Sequence, residues 1–258
     1  MRPAAILLLA VGLLGADDPA PKRYECVRAQ SAIRVDGKMD DSAWKQAPWS
    51  DWFVDIQGSS KPAPRFKTRI KMLWDDTYFY VAAELEEPDV WATLTTHDAV
   101  IFHDNDFEVF LNPTADGEKY FEFEINALNT GWDLFLPRAY RQGGRADNSW
   151  EIPGLLSSVQ VDGTLNEPGD RDRGWTVEIA FPWSAFTERS GATRPTPGTE
   201  WRVNFSRVEW RVETSGGHYR KVAGLKEDNW VWSPQGVVNM HVPEKWGTVR
   251  FEGIGSAR

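Results

Sequence analysis

Between Asp104 and Pro137 the chain alternates apolar and polar residues with period two. In DNDFEVFLNP, Phe107, Val109 and Leu111 take one side while Asp106 and Glu108 take the other. A turn follows at Thr114-Ala115-Asp116-Gly117. Beyond it, KYFEFEINALNTGWDLFLP sets Phe121, Phe123 and Ile125 against Glu122, Glu124 and Asn126. A helix, repeating every ~3.6 residues, cannot gather this pattern onto one face; a strand can, because successive side chains leave opposite faces. The stretch therefore predicts an antiparallel hairpin with one apolar and one acidic face. Antiparallel sheets commonly leave one face wet, so the acids need no function on this ground alone. Their convergence also suits the floor of a ligand site.

The same period recurs along the chain. TRIKMLW (68–74) and YFYVAAELEEP (78–88) form a hairpin about Asp75-Asp76-Thr77. SSVQVDGTLN (157–166), GWTVEIAFPWSAF (174–186) and WRVNFSRVEW (201–210) read as further strands, and Gly247 to Phe251 as a final edge strand. Helical turns are expected only at Ser42–Trp44 and Trp183–Phe186, and residues 89–103, 140–154, 193–200 and 215–229 read as loops. Many short strands and no long amphipathic helix predict an all-β fold, a single antiparallel β-sandwich of jelly-roll or immunoglobulin-like type. Its core must come from aromatics, since Cys26 is the single cysteine and 14 Trp, 13 Phe and 6 Tyr are present.

At the start of the 258 residues, Arg2, the apolar run Ala4–Gly15 and Ala16 resemble an export signal. The run is shorter than the ~20 residues of a spanning helix, so no membrane span is expected. The predicted organisation is a signal peptide over 1–16, a flexible lead-in over 17–28, the sandwich over 29–252 and a tail over 253–258. Such a protein is exported, to the periplasm, the cell surface or the medium. A formal charge of −9 argues against a nucleic-acid partner, whose phosphates it would repel.

Neither a Gly-rich phosphate loop nor a nucleophile elbow nor a zinc-type histidine spacing is present. Aromatic rings beside loops can lie on the apolar faces of a sugar while carboxylates, amides and guanidinium groups bond its hydroxyls. Trp91, Phe102 and Trp132 are the candidate stacking residues, and Trp150 also lies in a loop. Glu108, Glu124, Asn126, Asp133 and Arg207 are the candidate hydroxyl partners. Glu108, Glu122, Glu124 and Glu178 could instead pair for glycoside hydrolysis, but no proton donor stands out and binding is the simpler account. Asp104, Asn105 and Asp106 together offer oxygen ligands suited to calcium.

Several of these segments, in this order, resemble carbohydrate-binding module family 9 and its wider DOMON-like relatives. They are VDGKMDDSAW, TRIKMLWDDTYFYVAAEL, DNDFEVFLNP, FEFEINALNTGWDLF, GWTVEIAFPWSAF, VNFSRVEW and PEKWGTVRF. The resemblance implies a jelly-roll-like sandwich of about eleven strands that binds a poly- or oligosaccharide without catalysis, with glycan-degrading enzymes as partners. Family members that bind glycans hold a sugar between two tryptophans. Phe102 occupies the first position here, and Met240, followed by His241, the second. Glu124 stands where such binders carry arginine, which reverses a charge. Some DOMON-like relatives hold haem b, for which Met240, His241 and His103 would be the axial candidates. A sandwich face that docks another protein is a further alternative.

Overall fold

The computed structural model describes residues 20–253, so the expected signal peptide and residues 254–258 of the tail lie outside the described residues. Among the described residues no helix is long and apolar enough to cross a membrane. The strands run β1 (Arg23–Cys26), β2 (Val54–Asp55), β3 (Thr68–Trp74), β4 (Tyr78–Glu86), β5 (Asp106–Asn112), β6 (Glu118–Asn126) and β7 (Gly131–Arg138). They continue as β8 (Leu156–Asp162), β9 (Gly174–Pro182), β10 (Glu200–Glu209), β11 (Val212–Ser215), β12 (His218–Lys221), β13 (Asp228–Val231) and β14 (Gly247–Phe251). One short helix, α1 (Ser184–Ser190), follows Pro182.

Two sheets face each other. The larger is ordered β1-β14-β10-β5-β6-β7, and the second half of β10 pairs β13, which pairs β2. The smaller is ordered β3-β4-β9-β8. Between them lie the predicted apolar faces: Phe107, Val109 and Leu111 of β5 and Phe121, Phe123 and Ile125 of β6 meet Val81 and Leu85 of β4 and Val177, Ile179 and Phe181 of β9 in one cluster. Rings dominate it, with Trp201 edge-on to Phe251 at 5.3 Å and Phe107 stacked on Phe205 at 5.9 Å. Aromatic burial on this scale supplies a core without a disulfide; the lone Cys26 is a buried thiol within it.

The smaller sheet's outer face is covered by the N-terminal segment. Ala43, Trp44 and Ala47 pack on Leu73, Tyr80, Ala82 and Ala180. One carboxylate pins that cover: Glu178 on β9 accepts hydrogen bonds from Trp44 Nε1 (2.6 Å), Gly37 N (2.7 Å) and Asp36 N (2.9 Å). Gly37 has φ +82°, and a Cβ there would come within 2.8 Å of the backbone of Val159 and Gln160, so only glycine fits. The VDGKMDDSAW segment thus reads as a clasp.

Three expectations need correction. Residues 23–26 lie within the expected lead-in, yet they form β1, parallel to β14; β14 is consequently an inner strand, not the edge. The Asp104–Pro137 stretch makes three strands, because Asn126 and Asn129 turn the chain back into β7. The expected loop at 215–229 contains β12 and part of β13, joined to β11 by a hairpin at Gly216-Gly217.

An acid-floored cavity as the candidate functional site

Strands β5 and β6 pair in the register Asp106↔Asn126, Glu108↔Glu124 and Phe110↔Glu122, with these residues on the outer face of the larger sheet. Phe110, Tyr120, Leu134 and Leu136 on that face are covered by Met240 and Trp246, which arrive from the segment before β14. The uncovered remainder is a hollow of about 220 Å³. Glu108, Glu122 and Glu124 form its floor; Phe102, Val238, Asn239, Met240 and His241 stand around it.

The floor is an unusual electrostatic environment. Glu108, Glu122 and Glu124 are no more than 6 % exposed, and Asp106 behind them is 1 % exposed. Burial pushes the carboxyls of Asp106, Glu122 and Glu124 well above the usual carboxylate range, and the neighbouring carboxylates push them further the same way. Burial raises Glu108 to about 7. Glu124 Oε2 accepts from Phe102 N at 3.0 Å, which fixes the helical turn Ile101–His103 at the rim. Asp106 Oδ1 accepts from Val208 N at 3.0 Å, while its Oδ2 is buried with no hydrogen-bond partner. Burial lowers His241 to about 4, so its ring is neutral and bonds the Tyr120 hydroxyl at 2.9 Å through Nδ1.

Of the residues singled out from sequence, Phe102, Glu108, Glu124, Met240 and His241 come together around this cavity. Trp132 pairs in register with Glu124, and its ring lies 6.3 Å from that of Phe102. The others lie elsewhere. Arg207 is fully buried between the sheets, forked onto Glu87 (2.6 Å) and Glu209 (2.8 Å), and offers no donor to a ligand. Asp133, next to Trp132 on β7, leaves the strand on the opposite face, where it accepts from Ile152 N and lies 3.5 Å from His97. Asn126 spends its amide on Leu94 O and Asp104 and its carbonyl on Leu128 N and Thr130 N. Trp91 is 4 % exposed and lines a separate hollow with His218 and Tyr219.

The calcium expectation at Asp104, Asn105 and Asp106 does not hold as drawn, because consecutive side chains diverge. Asp104 caps Thr93 N and Leu94 N, and Asn105 bridges Glu87 and Trp210 N. Glu178 is bound into the clasp on the other sheet and cannot pair with the floor glutamates. The haem arrangement fares no better: Met240 and His241 come from one rim segment, and His103 is exposed. Sequence reading underused Glu122, whose alternation with Phe121 and Phe123 placed it on the acidic face, and missed Asn239, which carries no periodic signal. A second hollow of about 300 Å³ lies beside Trp52 on the smaller sheet, but Arg69 already sits over the rings of Trp49 (3.9 Å) and Trp52 (4.5 Å).

The molecule is thus a two-sheet β-sandwich with an acid-floored hollow on one outer face. The chain belongs to the carbohydrate family 9 binding domain-like family, whose sequence pattern matches residues 35–253. It is 23% identical over 219 residues to an exoglucanase XynX of Acetivibrio thermocellus and 24% identical over 159 residues to an endo-1,4-beta-xylanase A of Thermoanaerobacterium saccharolyticum. These alignments cover 81% and 61% of the chain but only 17% and 11% of those much longer enzymes. Among solved structures it is similar to a putative carbohydrate-binding protein from Bacteroides uniformis, with TM-score 0.64 and 18% identity, covering 90% of this chain and 100% of that one. A carbohydrate binding module family 9 from Caldicellulosiruptor kristjanssonii, solved with cellotriose, aligns with TM-score 0.58 and 17% identity over 90% of this chain and 94% of that one. At these identities the structural likeness establishes the fold.

Proposed function

We propose that this chain is an exported, non-catalytic carbohydrate-binding protein that takes a neutral poly- or oligosaccharide in the cavity on the outer face of the larger sheet. The observation that carries the reading is the meeting of Phe102 and Met240 around the carboxylates Glu108, Glu122 and Glu124. Phe102 and Met240 offer apolar surface to a pyranose face, and the carboxylates accept hydrogen bonds from hydroxyls. Trp132 beside Phe102 extends the apolar surface. No lysine or arginine lines the cavity, so nothing there would answer the charge of a uronic acid, and a neutral sugar fits better. Family membership and neighbours solved with cellotriose or glucose support the same ligand class.

Two further features support binding over hydrolysis. A glycosidase needs two carboxyl groups roughly 5–9 Å apart flanking the scissile bond. Here Glu108 and Glu124 are directly opposed on adjacent strands of one floor, rather than on two walls between which a glycosidic bond could lie. The matched regions are small parts of a glucanase and a xylanase, which fits a module that delivers such enzymes to their polymer or acts beside them. Calorimetric titration with neutral oligosaccharides, β-glucans and xylans included, tests the reading: binding should be present in the native chain and weakened at least about tenfold by Phe102→Ala. A native chain that binds none of a broad glycan panel, or that releases reducing sugar from one, overturns it.

A further inference from the structure

We propose that the cavity floor also holds one divalent, oxygen-seeking cation of the calcium type, liganded by Asp106, Glu108 and Glu124. One carboxylate oxygen from each of the three lies within 4.8 Å of the others. Oxygens bound to one calcium ion at about 2.3–2.6 Å span the same distance. This set differs from the consecutive trio considered from sequence: Asp106 and Glu108 are two apart on β5, and Glu124 faces Glu108 from β6, so their side chains share a face.

A cluster of acids alone would prove nothing, since acids also gather where water solvates them. Here Asp106, Glu108 and Glu124 are each no more than 5 % exposed, and an independent feature points to a missing partner. Asp106 is 1 % exposed; its Oδ1 is satisfied by Val208 N, and its Oδ2 is buried with no hydrogen-bond partner. A buried oxygen without a partner loses its hydration with nothing in exchange, and folded proteins rarely tolerate it. Charge balance points the same way. On the inner face the buried pair Glu87 and Glu209 is answered by Arg207, whereas no lysine or arginine lines the cavity and His241 there is neutral. A cation on the floor supplies the missing counter-charge.

The donor chemistry selects the ion. Three carboxylates with neither thiol nor imidazole suit a hard cation, and a flexible coordination number lets water from the open side of the hollow complete the shell. The inference does not depend on carbohydrate binding, because the ligands are all protein groups and the ion needs no sugar.

The test uses the native chain stripped with EDTA, dialysed and titrated calorimetrically with calcium chloride at neutral pH, with melting curves alongside. One ion per chain should bind with a dissociation constant at or below about 10⁻³ M, and it should raise the melting temperature. Glu108→Gln, which keeps shape but removes charge, should weaken binding at least about tenfold. His97→Asn should leave it intact, which separates the floor from the second cluster among the described residues able to gather three ligands, His97, Asp98 and Asp133. If Glu108→Gln does not fold, Glu108→Asp serves, since it keeps the charge but withdraws the oxygen. Absence of heat and of any melting shift with about 10 mM calcium overturns the proposal. So does binding that survives both Glu108 variants or disappears in His97→Asn.

Discussion

Glu108 and Glu124 face each other directly across the β5–β6 ladder, both buried, on the outer face of the larger sheet. Like charges in that position oppose sheet formation, so the pairing persists only if protons or a cation relieve it. Glu122 crowds the same patch, and the charge of Glu108 helps to raise its carboxyl above the usual range. In EDTA-treated protein at neutral pH, Glu122→Gln should therefore stabilise the fold. Relief of roughly 0.5–1 kcal/mol corresponds to a melting-temperature rise of about 1–4 °C in a domain of this size. A fall on this substitution would mean that Glu122 already has a favourable partner.

Arg207 gives the opposite outcome. It is enclosed by Glu87, Glu209, the Thr68 hydroxyl and the backbone carbonyl of Glu86. Arg207→Leu leaves buried Glu87 without its cation and Glu209 with only Arg65 at 3.7 Å, and should cost about 3–5 kcal/mol, read from urea unfolding. Arg207→Lys should recover only part of this, because an ammonium lacks the fork that reaches both acids. A surviving Arg207 variant that binds glycan with native affinity would agree with its place behind the site; selective loss of affinity in a well-folded variant would bring the residue back into the binding surface.

The alternation that revealed the acidic floor also contained the answer for Arg207. Along WRVNFSRVEW, Trp201, Val203 and Phe205 point inward, and Arg207 continues their side; Asn204 and Ser206 share the other face with Glu108. Asp133 fails for the same reason beside Trp132. Period two thus made the faces legible wherever one side was apolar. The hairpin of β11 and β12 was readable too, from Gly216-Gly217, both with positive φ, flanked by short polar strands, but its lack of an apolar face hid it. What no local pattern could reveal is which distant segments cover the sheet. That Met240 and His241 reach the rim beside Phe102 depends on the path between β13 and β14.

Glu178 shows how a carboxylate resembling a catalytic candidate can serve as a fastener. Its three hydrogen bonds hold Asp36, Gly37 and Trp44 over the smaller sheet. Glu178→Ala should cost about 2–4 kcal/mol, since bonds to a charged acceptor are worth ~1.5–3 kcal/mol each and do not add fully. The loss should be local: hydrogen exchange should quicken over residues 36–47 while the β5–β6 ladder stays protected. Uniform acceleration across both sheets would show that the clasp is part of the cooperative core.

The pH dependence of stability follows from carboxyl groups that the fold holds protonated more tightly than the unfolded chain does. Asp133, buried beside Glu151 and Asp98, is raised from the ordinary aspartate value to about 6, chiefly by burial. A raised carboxyl contributes stability that is fully present below its unfolded pKa, about 3.9, and is lost as pH climbs through its folded value. The floor carboxyls shift the same way, and His97, raised by its hydrogen bond to Glu151, likewise favours the folded state at the lower end of its range. His241 opposes them: its lowered pKa means that stability is lost as pH falls from about 6.5 through about 4. The carboxyls outnumber it, so EDTA-treated protein should melt a few degrees higher near pH 6 than near pH 8, with the gain fading towards pH 4 as His241 and the ordinary ion pairs titrate. Added calcium should flatten the slope between pH 6 and 8 by fixing the floor carboxylates in their charged form. Melting temperatures measured every half unit, with and without calcium, check both halves. A melting temperature that rises from pH 6 to pH 8 in the stripped protein would place the dominant titration on depressed groups and remove the buried-acid account of the floor.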